Sequence, residues 1–179
     1  LVFSTLFSCG SSSKELLEKS RNLMKEQRFE EAIQFLNKAI EKDAKNAEAF
    51  NARGVALFEL GKYNDAMLDY SQAIELTPTD YKPYFNRAEL KKALKQMPEA
   101  LKDYNEAIKL SPKTADLYLN RGVLQYQLNN LDQAIQDFKQ ACVLNPTDKN
   151  AFYNLGNIFF EKGDDASLRE AETNFKKVI

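Results

Sequence analysis

Residues 118–123 read YLNRGV; the pattern stands as YFNRAE at 84–89 and as FYNLGN at 152–157, each copy 34 residues from the next. Self-similarity at a fixed period of this length marks one supersecondary unit stacked on copies of itself. Working outward, every 34th residue falls into columns. Leu16, Phe50, Tyr84, Tyr118 and Phe152 form one, and Ser20, Gly54, Ala88, Gly122 and Gly156 form another four residues on. A large residue is followed each time by a small one. Later in the unit come Ala32, Ala66, Ala100 and Ala134, then Leu36, Tyr70, Tyr104 and Phe138, then Ala39, Ala73, Ala107 and Ala141.

Phe50, Gly54 and Leu57 are spaced i, i+4, i+7, as are Ala66, Tyr70 and Ala73, the spacing of one buried helix face. The pattern predicts two helices per unit, with these aromatics in the core. Breaks such as Glu59-Leu-Gly-Lys-Tyr63 separate the two, and units end in Thr77-Pro-Thr-Asp80, Ser111-Pro-Lys-Thr114 and Asn145-Pro-Thr-Asp148. Proline there cannot continue a helix, and the adjacent Thr or Asp can cap the next. Pro98 falls where a second helix begins and suits a first helical position.

Composition narrows the function. The 179 residues are 44% apolar, enough to bury a core, and 25 basic against 26 acidic side chains leave a net charge of -1. Such a balance gives no field to gather nucleic acid or an anionic bilayer. The chain has no His, so the commonest metal ligand and neutral-pH proton shuttle are missing. The expectation is a protein with no catalytic residues, no metal, no cofactor and no nucleic-acid partner. Asp164-Asp165 reads as solvated charge in a polar turn. Cys142 takes the place of Ile40, Ile74 and Ile108 on an apolar column and reads as a small hydrophobe.

The large/small pairs, the Ala-x3-aromatic-x2-Ala runs, and Pro78, Pro112 and Pro146 together resemble the tetratricopeptide repeat family. The resemblance covers residues 13–179, in units 13–46, 47–80, 81–114, 115–148 and an incomplete 149–179. Unit 13–46 departs at Ser20 and Ala44. In the last unit the second helix returns as Ala171, Phe175 and Val178, three residues late, which predicts a longer turn over Gly163–Ser167. The family implies an all-α fold: a right-handed superhelical solenoid of antiparallel helix pairs, with first helices lining a concave groove. A final second helix is normally covered by the next unit, which points to further repeats or self-association at the C-terminal end.

The opening LVFSTLFSCGSSSK resembles the cleavage box of bacterial lipoproteins: an apolar run to Leu6-Phe-Ser-Cys9, then a serine spacer. On that resemblance residues 1–12 are a truncated signal peptide, lipidation site and spacer, and Cys9 carries the lipid. Several acyl chains on one residue anchor a domain durably. The expected location is the bacterial cell envelope, with the protein lipid-anchored to a membrane; without the lipid it would be cytoplasmic.

At about 100° per residue, Asn86 lies nearly opposite the face that Tyr84 and Ala88 share. The same projection sets Lys82 and Glu89 beside Asn86, Asp116, Val123 and Gln127 beside Asn120, and Asn150 and Asn157 beside Asn154. In the repeat family this face lines the groove. In the peptide-recruiting repeats of O-linked sugar transferases, Asn in this column forms a ladder of amides along an extended peptide. A primary amide donates and accepts, so it can hold a peptide unit without reading its side chain. The carboxylate clamp of chaperone adaptors is not expected, because Leu17, Asn51, Phe85 and Leu119 occupy the column of its lysines. The function expected is a lipid-anchored scaffold that binds peptide segments or partner proteins in the groove. The alternative is the docking or regulatory region of a longer enzyme or sensor whose effector part lies beyond residue 179.

Overall fold

The small residues that recur every 34 positions let the two helices of each unit close on one another. The structure, a computed structural model, describes residues 11–178. Among them are ten helices and no strand: α1 (Ser13–Lys25), α2 (Phe29–Lys42), α3 (Ala47–Glu59), α4 (Tyr63–Leu76), α5 (Tyr81–Ala93), α6 (Met97–Leu110), α7 (Ala115–Gln127), α8 (Leu131–Leu144), α9 (Lys149–Lys162) and α10 (Asp165–Lys176). First helices start at the 34-residue step throughout, and so do second helices. Asp80 and Asp148 accept from Lys82 N–H and Asn150 N–H as N-caps, and Pro98 lies in the first turn of α6. Thr114 makes no such cap; its hydroxyl pairs with Ser111 at 2.8 Å.

The turn inside each of the first four pairs puts one residue in the left-handed region: Gln27 (φ 60°), Gly61 (72°), Lys95 (63°) and Asn129 (59°), again 34 apart. The next residue's N–H then bonds back five positions, as Lys62 N–H does to Leu57 O at 2.8 Å. Only Gly61 adopts this conformation without a Cβ penalty.

The chain divides into two compact units, one up to Pro78 and one from Thr79. In each, helices pack on their neighbours in chain order. The core contact is a small residue of a first helix against a ring of the second. A Cβ on Gly54 would stand 2.6 Å from the Tyr70 ring, on Gly122 2.8 Å from Phe138, and on Gly156 2.6 Å from Phe175. Tyr70, Tyr104 and Phe138 are fully buried, each stabilising by about 2–3 kcal/mol. Phe50, Tyr84 and Tyr118 differ from the sequence expectation: they are only half-buried, at the core edge. The guanidinium three residues on covers each ring, Arg53 at 5.5 Å, Arg87 at 5.9 Å and Arg121 at 5.8 Å from the centroid.

Those arginines are fixed by a fork. Arg53 Nε and Nη2 donate to the two oxygens of Asp69 at 2.7 and 2.8 Å, and Arg87–Asp103 and Arg121–Asp137 repeat the geometry. The remaining nitrogen of Arg53 reaches back to Asn37 of α2, and that of Arg121 to Asn105 of α6, so the fork also ties one pair to the next. Asp69 raises the pKa of Arg53 by hydrogen bonding against the opposing effect of burial. The first pair replaces the fork with Lys19 over the Phe35 ring at 4.4 Å. The fifth has Leu155 and Asn174 in these columns, and Asn174 Nδ2 donates to Glu170 O of its own helix.

The late second stripe of the fifth pair is not absorbed in a longer turn. Only Gly163 and Asp164 separate α9 from α10, fewer than the three residues between α3 and α4. The extra residues become helix instead, one on the end of α9 and the rest as the first turn of α10. That turn is stabilised by Asp164, which accepts from the Ser167 N–H at 2.9 Å and hydroxyl at 2.6 Å.

Truncating one side of a fork leaves the other charge buried and unpaired. Arg121→Ala is expected to destabilise the protein by about 3 kcal/mol, because Asp137 is only 6% exposed at its side chain. Replacing exposed Lys109, paired with Glu106 at 3.4 Å, should change stability by under about 0.5 kcal/mol. Equilibrium urea unfolding of both variants checks the contrast.

Candidate functional site

The candidate groove face is carried by α5, α7 and α9, whose Asn column keeps register because the three helices start 34 residues apart. Asn86, Asn120 and Asn154 are all half-buried. Asn120 Nδ2 donates to Asp116 O at 2.8 Å, one turn back on its own helix. Asn154 and Asn157 of α9 meet Val123 and Tyr126 of α7 over Phe138, around a cavity of about 50 Å³. Tyr126 closes one end: its hydroxyl donates to Glu161 of α9 at 2.5 Å, and that bond raises its pKa. Tyr126 escaped the sequence reading, although it stands in the column of Met24, Phe58, Lys92 and Phe160.

The structure thus brings Val123, Asn154 and Asn157 together and leaves Lys82, Asp116, Gln127 and Asn150 exposed along the same helices. Glu89 has another task. It pairs with Lys92 at 2.6 Å and accepts the hydroxyl of Tyr104, so it satisfies the one polar atom of a fully buried ring. In the column where clamp lysines would stand, Leu17 is buried in the α1–α2 core, and Phe85 and Leu119 pack against core clusters. Cys142 is half-buried on α8, and burial pushes its thiol pKa up, away from a reactive thiolate. Among the described residues no group of three or more potential ligands could hold a metal ion, and no helix is long and apolar enough to cross a membrane. Cys9 lies outside the described residues.

The sequence profile of the TPR repeat family matches residues 21–61, 56–95, 90–129 and 124–163. The chain belongs to the tetratricopeptide repeat family. Members of this family are helical scaffolds for protein interaction, and no catalytic family is indicated. Solved structures share the fold: that of Pseudomonas aeruginosa pilF has a TM-score of 0.84 at 19% identity, covering 93% of this chain and 76% of that one. A MamA crystal structure gives 0.78 at 23%, covering 89% and 91%. YrrB, described as a TPR protein with an unusual peptide-binding site, gives 0.74 at 19%, covering 93% and 86%. Sequence relatives match shorter stretches. The Hsp70-Hsp90 organizing protein of Triticum aestivum is 30% identical over 79 residues, which are 44% of this chain and 14% of that protein. A UDP-N-acetylglucosamine--peptide N-acetylglucosaminyltransferase of Giardia intestinalis is 32% identical over 74 residues, 41% of this chain and 5% of that protein.

Glu89 differs from the exposed residues of this face in serving a buried ring. Glu89→Ala removes the acceptor of the buried Tyr104 hydroxyl, which keeps only Lys92 Nζ at 3.4 Å, and is expected to destabilise by about 1–3 kcal/mol, with Glu89→Gln, which keeps an acceptor, losing less. Gln127→Ala should stay within about 0.5 kcal/mol. Chemical denaturation of the three variants reads the difference.

Proposed function

We propose that this tetratricopeptide repeat protein is a non-catalytic scaffold whose second unit holds an extended peptide segment along α5, α7 and α9. The observation that carries the reading is the Asn column, Asn86, Asn120 and Asn154, in register on three successive first helices. Asn120 already spends its nitrogen on Asp116 O, which leaves Oδ1 as an acceptor for a peptide N–H. Val123, Asn157 and Tyr126 give the peptide an apolar and amide-lined step between α7 and α9. Lys82, Asp116, Gln127 and Asn150 form the polar surround. The likeness to a peptide-modifying glycosyltransferase and to a peptide-binding repeat structure supports this choice of ligand.

Replacing Asn86, Asn120 and Asn154 together by Ala should leave melting almost unchanged and weaken peptide binding about a hundredfold, at about 1 kcal/mol per backbone bond. The measurement is calorimetric titration of an extended peptide selected on the wild-type protein, with thermal melts in parallel. Tyr104→Ala supplies the opposite signature, a lowered melting point. Unchanged affinity in the triple variant would overturn the reading.

A second proposal concerns Cys9, on the evidence of sequence alone: Leu6-Phe-Ser-Cys9 and the serine spacer support a lipid anchor in a bacterial envelope. Mass spectrometry of the N-terminus of protein from its native host should show a diacylglyceryl group on the Cys9 sulfur, and Cys9→Ala should release the protein from membranes. An unmodified cysteine would remove the anchor and leave a cytoplasmic scaffold. The relatives favour one further possibility for the assembly: this chain matches only 14% and 5% of two of them, so the same repeats can serve as the docking region of a larger polypeptide.

A further inference from the structure

The second and third helix pairs share the Arg–Asp fork but differ in what stands beside it. In the third pair Lys91 Nζ joins the two nitrogens of Arg87 on Asp103, at 2.7 Å from Oδ2, so that carboxylate accepts three charged bonds. One period earlier Leu57 takes the place of the lysine, on the same side of Asp69 as Lys91 is of Asp103. Asp69 accepts the two bonds of Arg53 and no third from any described residue, although a carboxylate has about four acceptor sites. Here a cavity of about 370 Å³ lies between α2, α3 and α4, with Ile33, Leu57 and Leu68 as its apolar wall. Asp69, 4% exposed, lines it, and Asp65, one turn earlier on α4, adds a second carboxylate. Leu68 beside them is 69% exposed.

Charge follows the same contrast. In these columns the third pair sets Arg87, Lys91 and Lys102 against Glu99 and Asp103, and the fourth sets Arg121 against Asp137, with Gln125, Gln133 and Gln136 uncharged. Of the three pairs that carry the fork, only the second has more carboxylates than cations: Asp65 and Asp69 against Arg53. We propose that this cavity takes a lysine side chain of a partner polypeptide, its ammonium on Asp69 and Asp65 and its methylene stem along Leu57, Leu68 and Ile33. The protein's own Lys91 is the precedent, because it places an ammonium on a fork carboxylate with the arginine still in position. A lysine is also the side chain that pairs an apolar stem with a charged head, as this lining does. Asn37 favours a polypeptide as the source. Its Oδ1 accepts from Arg53 Nη1 at 2.8 Å, which leaves Nδ2, on an exposed residue of the lining, to donate to the carbonyl of the lysine's own backbone. The inference concerns the first unit alone and does not rest on peptide binding along α5, α7 and α9.

The test is amide NMR of the full chain titrated with N-acetyl-lysine methylamide, a lysine residue with both peptide bonds and no charge but its ammonium. Saturable shifts at Ile33, Leu57, Leu68 and Asp69 are expected, with a dissociation constant in the millimolar range that suits one side chain. The norleucine analogue, which has the stem without the ammonium, should not saturate. Butylammonium, which lacks the carbonyl that Asn37 would hold, should bind at least about threefold more weakly. Asp65→Asn should raise the dissociation constant about fivefold. Leu57→Lys supplies the ammonium from within, as Lys91 does, and should abolish binding while the melting temperature holds. No saturable shift, an equal response to norleucine, butylammonium binding as tightly as the blocked lysine, or undiminished binding by folded Leu57→Lys would each overturn the proposal.

Discussion

The interaction on which the rest depends is the contact between a residue with almost no side chain and a ring. Gly54 on Tyr70, Gly122 on Phe138 and Gly156 on Phe175 leave no room for a Cβ, so the distance between paired helices is set by the thickness of an aromatic plane. The third pair meets the same demand with Ala88 and Tyr104, and the first with Ser20 and Leu36, where a smaller partner makes room for a hydroxyl bonded to Leu17 O at 2.6 Å. Once that spacing is fixed, the guanidinium forks, the left-handed turn residues and the Asn column all fall into register. Each of these features repeats only because the helix pairs do.

The helix pairs were readable because three constraints coincide at one period: small residues where backbones approach, apolar spacing on one face, and prolines between units. The core edge was not. Tyr84 and Tyr118 have the spacing of buried residues, but the fork holds an arginine over each ring, and a stripe in sequence does not reveal what covers it from the side. The fork itself was legible and unread: Arg53, Arg87 and Arg121 each precede an Asp by sixteen residues, as a charge pair across a helical hairpin must. The insertion in the last unit was placed in sequence and mistaken in kind, because Asp164 and Ser167 can start a helix as readily as they can lengthen a loop.

For the candidate groove, projection onto a helix places its residues by angle but does not reveal their contacts. Angle alone cannot distinguish Asn154, which joins Asn157 beside a cavity, from Glu89, whose carboxylate serves a tyrosine of the neighbouring helix. Nor does it show Asn120 bonded to Asp116 on its own helix. A long side chain such as Glu reaches across a helical radius, so its partner is decided by what lies within several ångströms and not by the direction of its Cα–Cβ bond.

The fork tying one pair to the next through Arg53 and Asn37, or Arg121 and Asn105, has a consequence for cooperativity. In a linear array stability is the sum of each pair's own and its coupling to neighbours. With Leu155 and Asn174 in the fork columns, the last pair meets its neighbour without a buried ion pair, through apolar contact, the Tyr126–Glu161 hydrogen bond and the exposed Lys162–Asp132 pair. The α9–α10 hairpin is accordingly the segment that can open while the rest of its unit stays folded, exchanging its amide protons ahead of α7 and α8.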